Sequence, residues 1–185
     1  KIWTRTQKHQ VAMGAPVDNI REIVIDEGLA YLAIGRQGIQ IVDIDDPARP
    51  KALGGFGSIG EASGLAIQKG RETENGPRDY LYVADSSNGL IVLDVTDPTE
   101  ITQVWRFDKI TQAQDVLIKG NFAYVADGKE GLYVINIQTL PPTEPEDGET
   151  SYFLHVGKDG EGDPGLWKIV LDGKKIYALS GEKEF

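Results

Sequence analysis

Asp79–Pro98 reads DYLYVADSSNGLIVLDVTDP, two β-rich apolar runs on either side of a short polar turn. Aliphatic, β-branched and aromatic runs bounded by Ser, Asn, Gly and Asp-Pro form the pattern of a strand hairpin. The same pattern stands upstream at Gly28–Pro47 (GLAYLAIGRQGIQIVDIDDP) and downstream at Gly120–Pro141 (GNFAYVADGKEGLYVINIQTLP). A broken fourth copy begins at Gly173 (GKKIYALSGEKEF).

Spacing turns the likeness into a repeat. Tyr31, Tyr82 and Tyr124 are followed at one constant interval by Gly38, Gly89 and Gly131, and those at a second constant interval by Asp43, Asp94 and Asn136. Tyr177 opens the fourth copy, with Glu184 where the glycine belongs. Successive tyrosines lie 51, 42 and 53 residues apart, close to the roughly 40–50 residues of a propeller blade. An earlier apolar run precedes each hairpin: Ile23–Ile25, Leu65–Ile67, Val116–Ile118 and Ile169–Leu171. A later one follows the Asp-Pro turn, at Val104–Phe107 and Phe153–Val156.

Four strands per copy predict an all-β fold, a β-propeller of four-stranded antiparallel blades. Three full blades (about 17–56, 57–107 and 109–156) are expected, with part of a fourth (157–185), in a single domain or part of one. IQIVDI, LIVLDV and LYVINI are apolar on both faces, which predicts sheets covered on both sides. Lys1–Pro16 reads as the last strand of a preceding blade or as a strand that closes the ring. Two stretches interrupt the repeat: RETENGPRD at Arg71–Asp79, read as an exposed hairpin loop, and PPTEPEDGET at Pro141–Thr150, read as a solvated acidic loop.

GIQIVDIDDP and GLIVLDVTDP resemble LVIVD repeats, with GLYVINIQTLP a weaker match that has Asn136 in place of Asp and Thr-Leu-Pro in place of Asp-Pro. The resemblance covers most of Arg21–Leu140. It implies a propeller-like architecture and an exported protein, extracellular, at the cell surface or periplasmic. It implies no reaction and no catalytic residues.

Composition narrows the partners. A formal net charge of −10 argues against nucleic acid, which calls for a basic stripe, and against an anionic membrane surface. No apolar run is long enough for a membrane-spanning helix. With no cysteine, disulfides, thiolate catalysis and cysteine-ligated zinc are excluded. No signal peptide is visible and the first residue is Lys, so the chain is expected to be a processed protein or an excerpt.

Asp43, Asp94 and Asn136 recur at one position just before a turn. They are either a ring of ligands or, as one such residue per blade favours, caps of the following turn; Gly38, Gly89 and Gly131 are structural turn residues. Asp85 and Asp127 end the Tyr-Val-Ala strands and read as turn formers too. Asp159, Glu161 and Asp163 put carboxylates at alternate positions of a glycine-rich loop and are the candidate calcium ligands. As an EF-hand loop the stretch departs from the pattern, with Pro164 for the invariant glycine and Val170 for the bidentate glutamate, so a solvated acidic loop is the preferred reading and no other cofactor is expected. His9 and His155 read as solvated and strand residues, and Trp3, Trp105 and Trp167 as packing aromatics.

The expected function is a non-enzymatic interaction module or scaffold that binds another protein or a surface polymer through its blade loops. One alternative is a propeller hydrolase or lyase with Asp85 and Asp127 converging on a central funnel. Another is a structural subunit of a larger redox or surface complex. The ring is expected to be completed by further blades, about six or seven in all, or by another chain over Gly157–Phe185, unless Lys1–Met13 closes it.

Overall fold

The computed structural model describes residues 20–57, 60–128, 130–140, 151–154 (backbone only) and 165–180. The first sheet pairs β1 (Glu22–Asp26), β2 (Leu29–Ala33), β3 (Ile39–Asp43) and β4 (Lys51–Phe56) in chain order. The second pairs β5 (Ala62–Arg71), β6 (Arg78–Asp85), β7 (Gly89–Asp94) and β8 (Thr102–Phe107). The third pairs β9 (Asp115–Lys119), β10 (Phe122–Asp127), β11 (Gly131–Asn136) and β12 (Ser151–Leu154). The fourth holds β13 (Leu166–Asp172) and β14 (Lys175–Ser180). Every pairing is antiparallel, and the described residues contain no helix. This is the β-propeller arrangement: three four-stranded blades and two strands of a fourth.

Contacts between sheets run through their first strands: β1 lies beside β5, β5 beside β9, and β9 beside β13. The first strands are therefore innermost, and later strands fan outwards. Between the first two sheets, Tyr31, Ile41, Leu81 and Val83 form one apolar layer. Between the second and third, Tyr82, Val92, Val116 and Ile135 form another. Ala126, Leu132, Leu166 and Ile169 join the third and fourth.

The repeat glycines have a geometric reason. Gly38, Gly89 and Gly131 adopt φ of +84°, +79° and +99°, a region L side chains avoid. At Gly38 and Gly89 a Cβ would also fall on the Phe56 and Phe107 carbonyl oxygens of the last strand of the same sheet.

One expectation needs correction. Arg71–Asp79 is not a loop throughout. β5 runs to Arg71 and β6 starts at Arg78, with these two residues paired across the hairpin, so the turn is confined to 72–77. The strands that carry the expectation of two-sided cover keep it: Ile39–Val42 of β3 and Gly89–Leu93 of β7 are buried throughout, and β11 is buried at all but Val134 and Asn136, which are half-buried. The open faces belong to the first strand of the first sheet and to the fourth sheet. Ile23 and Ile25 of β1 are 50% and 65% exposed, and Val170, Tyr177 and Leu179 of the fourth sheet are 42–47% exposed. Burial of a blade face comes from a neighbouring sheet, and these faces point away from the neighbours described.

Candidate functional site

Asp43, Asp94 and Asn136 each terminate a third strand. Their Oδ1 atoms accept the backbone N–H two residues on, from Asp45 (3.0 Å), Thr96 (2.9 Å) and Gln138 (2.9 Å). A second such turn follows at Asp46, which receives Ala48 N at 3.0 Å, and at Asp97, which receives Thr99 N at 2.8 Å. Hydrogen bonds from Thr99, first from its hydroxyl and then from its backbone, hold the Asp97 carboxyl below its usual range. Each of these side-chain oxygens thus turns the chain locally where a third strand ends.

Asp85 and Asp127 are fully buried. Asp85 Oδ1 accepts Ser87 N (2.9 Å), Asn88 N (2.9 Å) and Asn88 Nδ2 (3.1 Å) inside its own hairpin, and its buried Oδ2 has no partner. Asp127 reaches back sixteen residues instead, accepting Thr111 N (3.2 Å) and Gln112 N to fix the connection between β8 and β9. Burial pushes the Asp127 carboxyl up, against the pull of the Gln112 and Thr111 N–H groups. Both residues hold backbone in separate blades. Among the described residues no three His, Cys, Asp or Glu side chains stand together as a metal site. Asp159, Glu161, Asp163, His9, His155, Trp3 and Pro141–Thr150 lie outside the described residues. Trp105 packs its half-buried ring against Phe107 (centroids 5.7 Å apart), and Phe107 meets Tyr133 edge-on at 6.4 Å. Trp167 is half-buried on β13.

Two arrangements escaped the sequence reading. The first belongs to Arg71, at the end of β5. Its Nη1 donates to Gln68 Oε1 at 3.1 Å, which also receives the Tyr82 hydroxyl at 2.9 Å. Its Nη2 donates to the Ile137 carbonyl and, at 2.7 Å, to the Gln138 carbonyl of the third sheet. Desolvation lifts the pKa of the Tyr82 phenol to about 12, with Arg71 opposing. Gln68, Tyr82 and Arg71 thus bind the β5–β6 hairpin to the chain leaving β11. Beside it, Lys69 Nζ pairs with Asp79 Oδ2 (2.5 Å) and Glu27 Oε2 (3.6 Å) at the first–second sheet boundary.

The second arrangement lies among the innermost strands. Register aligns Glu22 with Ala33, Gly64 with Ala84, Asp115 with Ala126 and Lys168 with Leu179. Each partner stands two residues beyond a repeat tyrosine, so Glu22, Gly64, Asp115 and Lys168 occupy one equivalent position of the four sheets. Lys168 Nζ lies 2.8 Å from Glu22 Oε2 and 3.3 Å from Asp115 Oδ1. Asp115 Oδ2 accepts Ile169 N at 2.7 Å. A Cβ on Gly64 would overlap the Asp115 Cα and Oδ1, so the glycine lets β5 approach β9. Asp115 is almost wholly buried, while the side chains of Lys168 and Glu22 are 32% and 27% exposed. Burial raises the Asp115 carboxyl, against the Ile169 N–H and the Lys168 charge. Burial also works to lower the Lys168 ammonium, but the bond to Glu22 and the charge of Asp115 outweigh it and the net direction is upward. The sequence signal was a charge nine residues before Tyr31, Tyr124 and Tyr177; the second copy carries Gly64 there instead, set further from Tyr82 by the longer β5–β6 hairpin.

Among solved structures, the chain resembles the crystal structure of the computationally designed Ika8 protein. The TM-score is 0.55 and the identity 9%, over 85% of this chain and 42% of that one. The chain thus spans less than half that protein's length, and the likeness concerns the fold alone. No curated protein matches it. The LVIVD repeat matches at residues 19–56, 78–109 and 111–145, the three segments that carry the hairpins with their turn-capping Asp43, Asp94 and Asn136. These segments make up more than half of the chain, and it belongs to the LVIVD repeat family.

Proposed function

We propose that the chain is a non-enzymatic interaction module of an exported or cell-surface protein. It binds another protein or a surface polymer through the β5–β6 hairpin and the connection that follows β11. The observation that carries this reading is the bond from Arg71 to the Ile137 and Gln138 carbonyls. It fastens the β5–β6 hairpin to the Ile137–Gln138 backbone that follows β11, so that one departure from the repeat is held rigidly against the neighbouring sheet. Loops held by a rigid scaffold are where binding is placed. The carboxylates that recur in the repeat are bonded to backbone, which favours this reading over a hydrolase or lyase built on Asp85 and Asp127. The acidic composition directs the choice of partner toward neutral or basic surfaces rather than nucleic acid.

The test replaces residues 72–77 by a two-residue Asn-Gly turn and measures binding of the labelled chain to intact cells and isolated surface polymer of the source organism. The shortened chain is expected to keep its melting temperature and lose binding. Retention of full binding overturns the assignment of the contact edge.

A further inference from the structure

We propose that Lys168 is a strap across the innermost strands, holding the fourth sheet to the first and third through one ammonium group. The argument begins with placement. Glu22, Gly64, Asp115 and Lys168 share one repeat position, yet only Lys168 carries a positive charge, and it touches carboxylates 146 and 53 residues away in sequence. Among the described residues, the charged groups facing it are Glu22 from β1 and Asp115 from β9. β5 contributes Gly64 and no charge, and Arg21 is turned to Glu61 at 2.6 Å. Two carboxylates therefore depend on one cation in a partly desolvated space, where like charges resist joint ionisation.

The fourth sheet needs such a tie. Its Ile169 face packs on the third sheet, whereas Val170, Tyr177 and Leu179 are exposed. Further polar links of this sheet include Leu166 N to the Gly128 carbonyl at 2.7 Å and Lys119 Nζ to the Gly173 carbonyl at 3.0 Å. The Lys168–Asp115–Ile169 group is the densest of these links. It draws β13 inward at the same level at which Gly64 lets β5 close on β9.

Removing the ammonium has a signature that lost packing lacks. In Lys168→Met, Asp115 loses the charge that opposes its burial, so its folded pKa rises further above 3.8. A carboxyl raised in the native state destabilises it above the folded pKa and ceases to do so as pH falls toward the unfolded value. The variant should therefore be weak at neutral pH and recover in acid.

The experiment measures amide protection factors across the 185-residue chain by hydrogen exchange, corrected for intrinsic rates and relative to the wild type at the same pH, at pH 7.5 and at about pH 3.5, below the unfolded carboxyl value of 3.8. Lys168→Met is expected to lower protection of β13 and β14 about 10-fold at pH 7.5, between the effects typical of exposed and buried ion pairs. β6 and β7 should change little, and most of the lost protection should return at the acid pH. Adding Asp115→Asn to Lys168→Met should restore protection at pH 7.5. Should the single variant not fold at pH 7.5, circular dichroism at the acid pH and of the double variant reads the same rescue. Unchanged protection in Lys168→Met, or a loss equal at both pH values and untouched by Asp115→Asn, overturns the proposal and leaves the lysine a packing stem.

Discussion

The second and fourth sheets are built from the same strand grammar and are held by different forces. In the second, Leu81, Val83 and Ile91 are buried against the first sheet while Tyr82, Ala84 and Val92 are buried against the third. In the fourth, Ile169 and Leu166 are buried and Val170, Tyr177 and Leu179 are open. A repeat supplies the residues, but a neighbour supplies the burial. Where one neighbour is missing from the described residues, polar ties centred on Asp115 and Lys168 become a larger share of what holds the sheet.

The largest effect should separate the two sheets by apolar truncation. Leu81→Ala is expected to cost about 2–5 kcal/mol, as for fully buried leucines elsewhere. Leu179→Ala should cost under about 1 kcal/mol, because much of that side chain already meets water. Urea denaturation of both variants checks the contrast. Equal losses would mean that the exposed face of β14 is covered in solution.

A second contrast uses turn glycines. Gly89 and Gly173 both have positive φ, +79° and +57°. A Cβ at Gly89 meets the Phe107 and Ile110 carbonyls, whereas one at Gly173 meets nothing within 4 Å. Gly173→Ala should carry only the conformational cost of about 1–2 kcal/mol. Gly89→Ala should exceed it and displace β8. Thermal melts of the two variants measure the difference, and a smaller loss at Gly89 would break the link between the repeat glycine and the last strand.

How much of this was legible follows from what each residue needs. The Tyr–Gly–Asp spacing is local: it encodes one hairpin and its exit turn, so it can be read without knowing the neighbours. Asp43, Asp94, Asp85 and Asp127 sit at readable strand ends, although Asp127 binds a connection sixteen residues back and Asp85 its own hairpin. Arg71 was read as loop because its surroundings are charged and rich in turn formers. It is a strand residue because tertiary bonds override weak β-propensity: Arg71 is drawn to the third sheet and its cross-strand partner Arg78 to Asp94 at 3.5 Å. Glu22, Asp115 and Lys168 carry opposite charges at one repeat position, so no residue type repeats there. Their meaning appears only when the innermost strands are brought together.

A smaller effect concerns pH at the second–third junction. The Asp127 carboxyl is raised, first by burial. The native state therefore holds the proton more tightly than the unfolded chain, and this group adds stability as pH falls through its folded value toward 3.8. Asp127→Asn is neutral at every pH and lacks that gain. The stability of the wild type relative to Asp127→Asn should thus increase from about pH 7 to about pH 4. Denaturation at several pH values checks the sign. The opposite slope would mean that the two backbone N–H groups outweigh burial.

The smallest effect tests whether the recurring strand-end acid is a turn former in every sheet. Asp94 Oδ1 accepts Thr96 N at 2.9 Å, and Asn136 Oδ1 accepts Gln138 N at the same distance. The third copy already carries the amide, and its turn has the same form. A cap needs only the side-chain oxygen two residues before the N–H it accepts, which an amide supplies as well as a carboxylate. A ligand ring would need the charge. Asp94→Asn should therefore stay within about 0.5 kcal/mol of the wild type, its one further loss being the long, half-exposed pair with Arg78. Asp94→Ala removes the acceptor and should cost about 1 kcal/mol, the usual net value of one hydrogen bond. Asn136→Asp should be equally mild. Urea midpoints of the three variants, with and without millimolar calcium, distinguish the roles. Capping predicts a loss only for the alanine variant and no response to calcium, whereas a large loss in Asp94→Asn that calcium modulates would show that the charge itself is what the repeat retains.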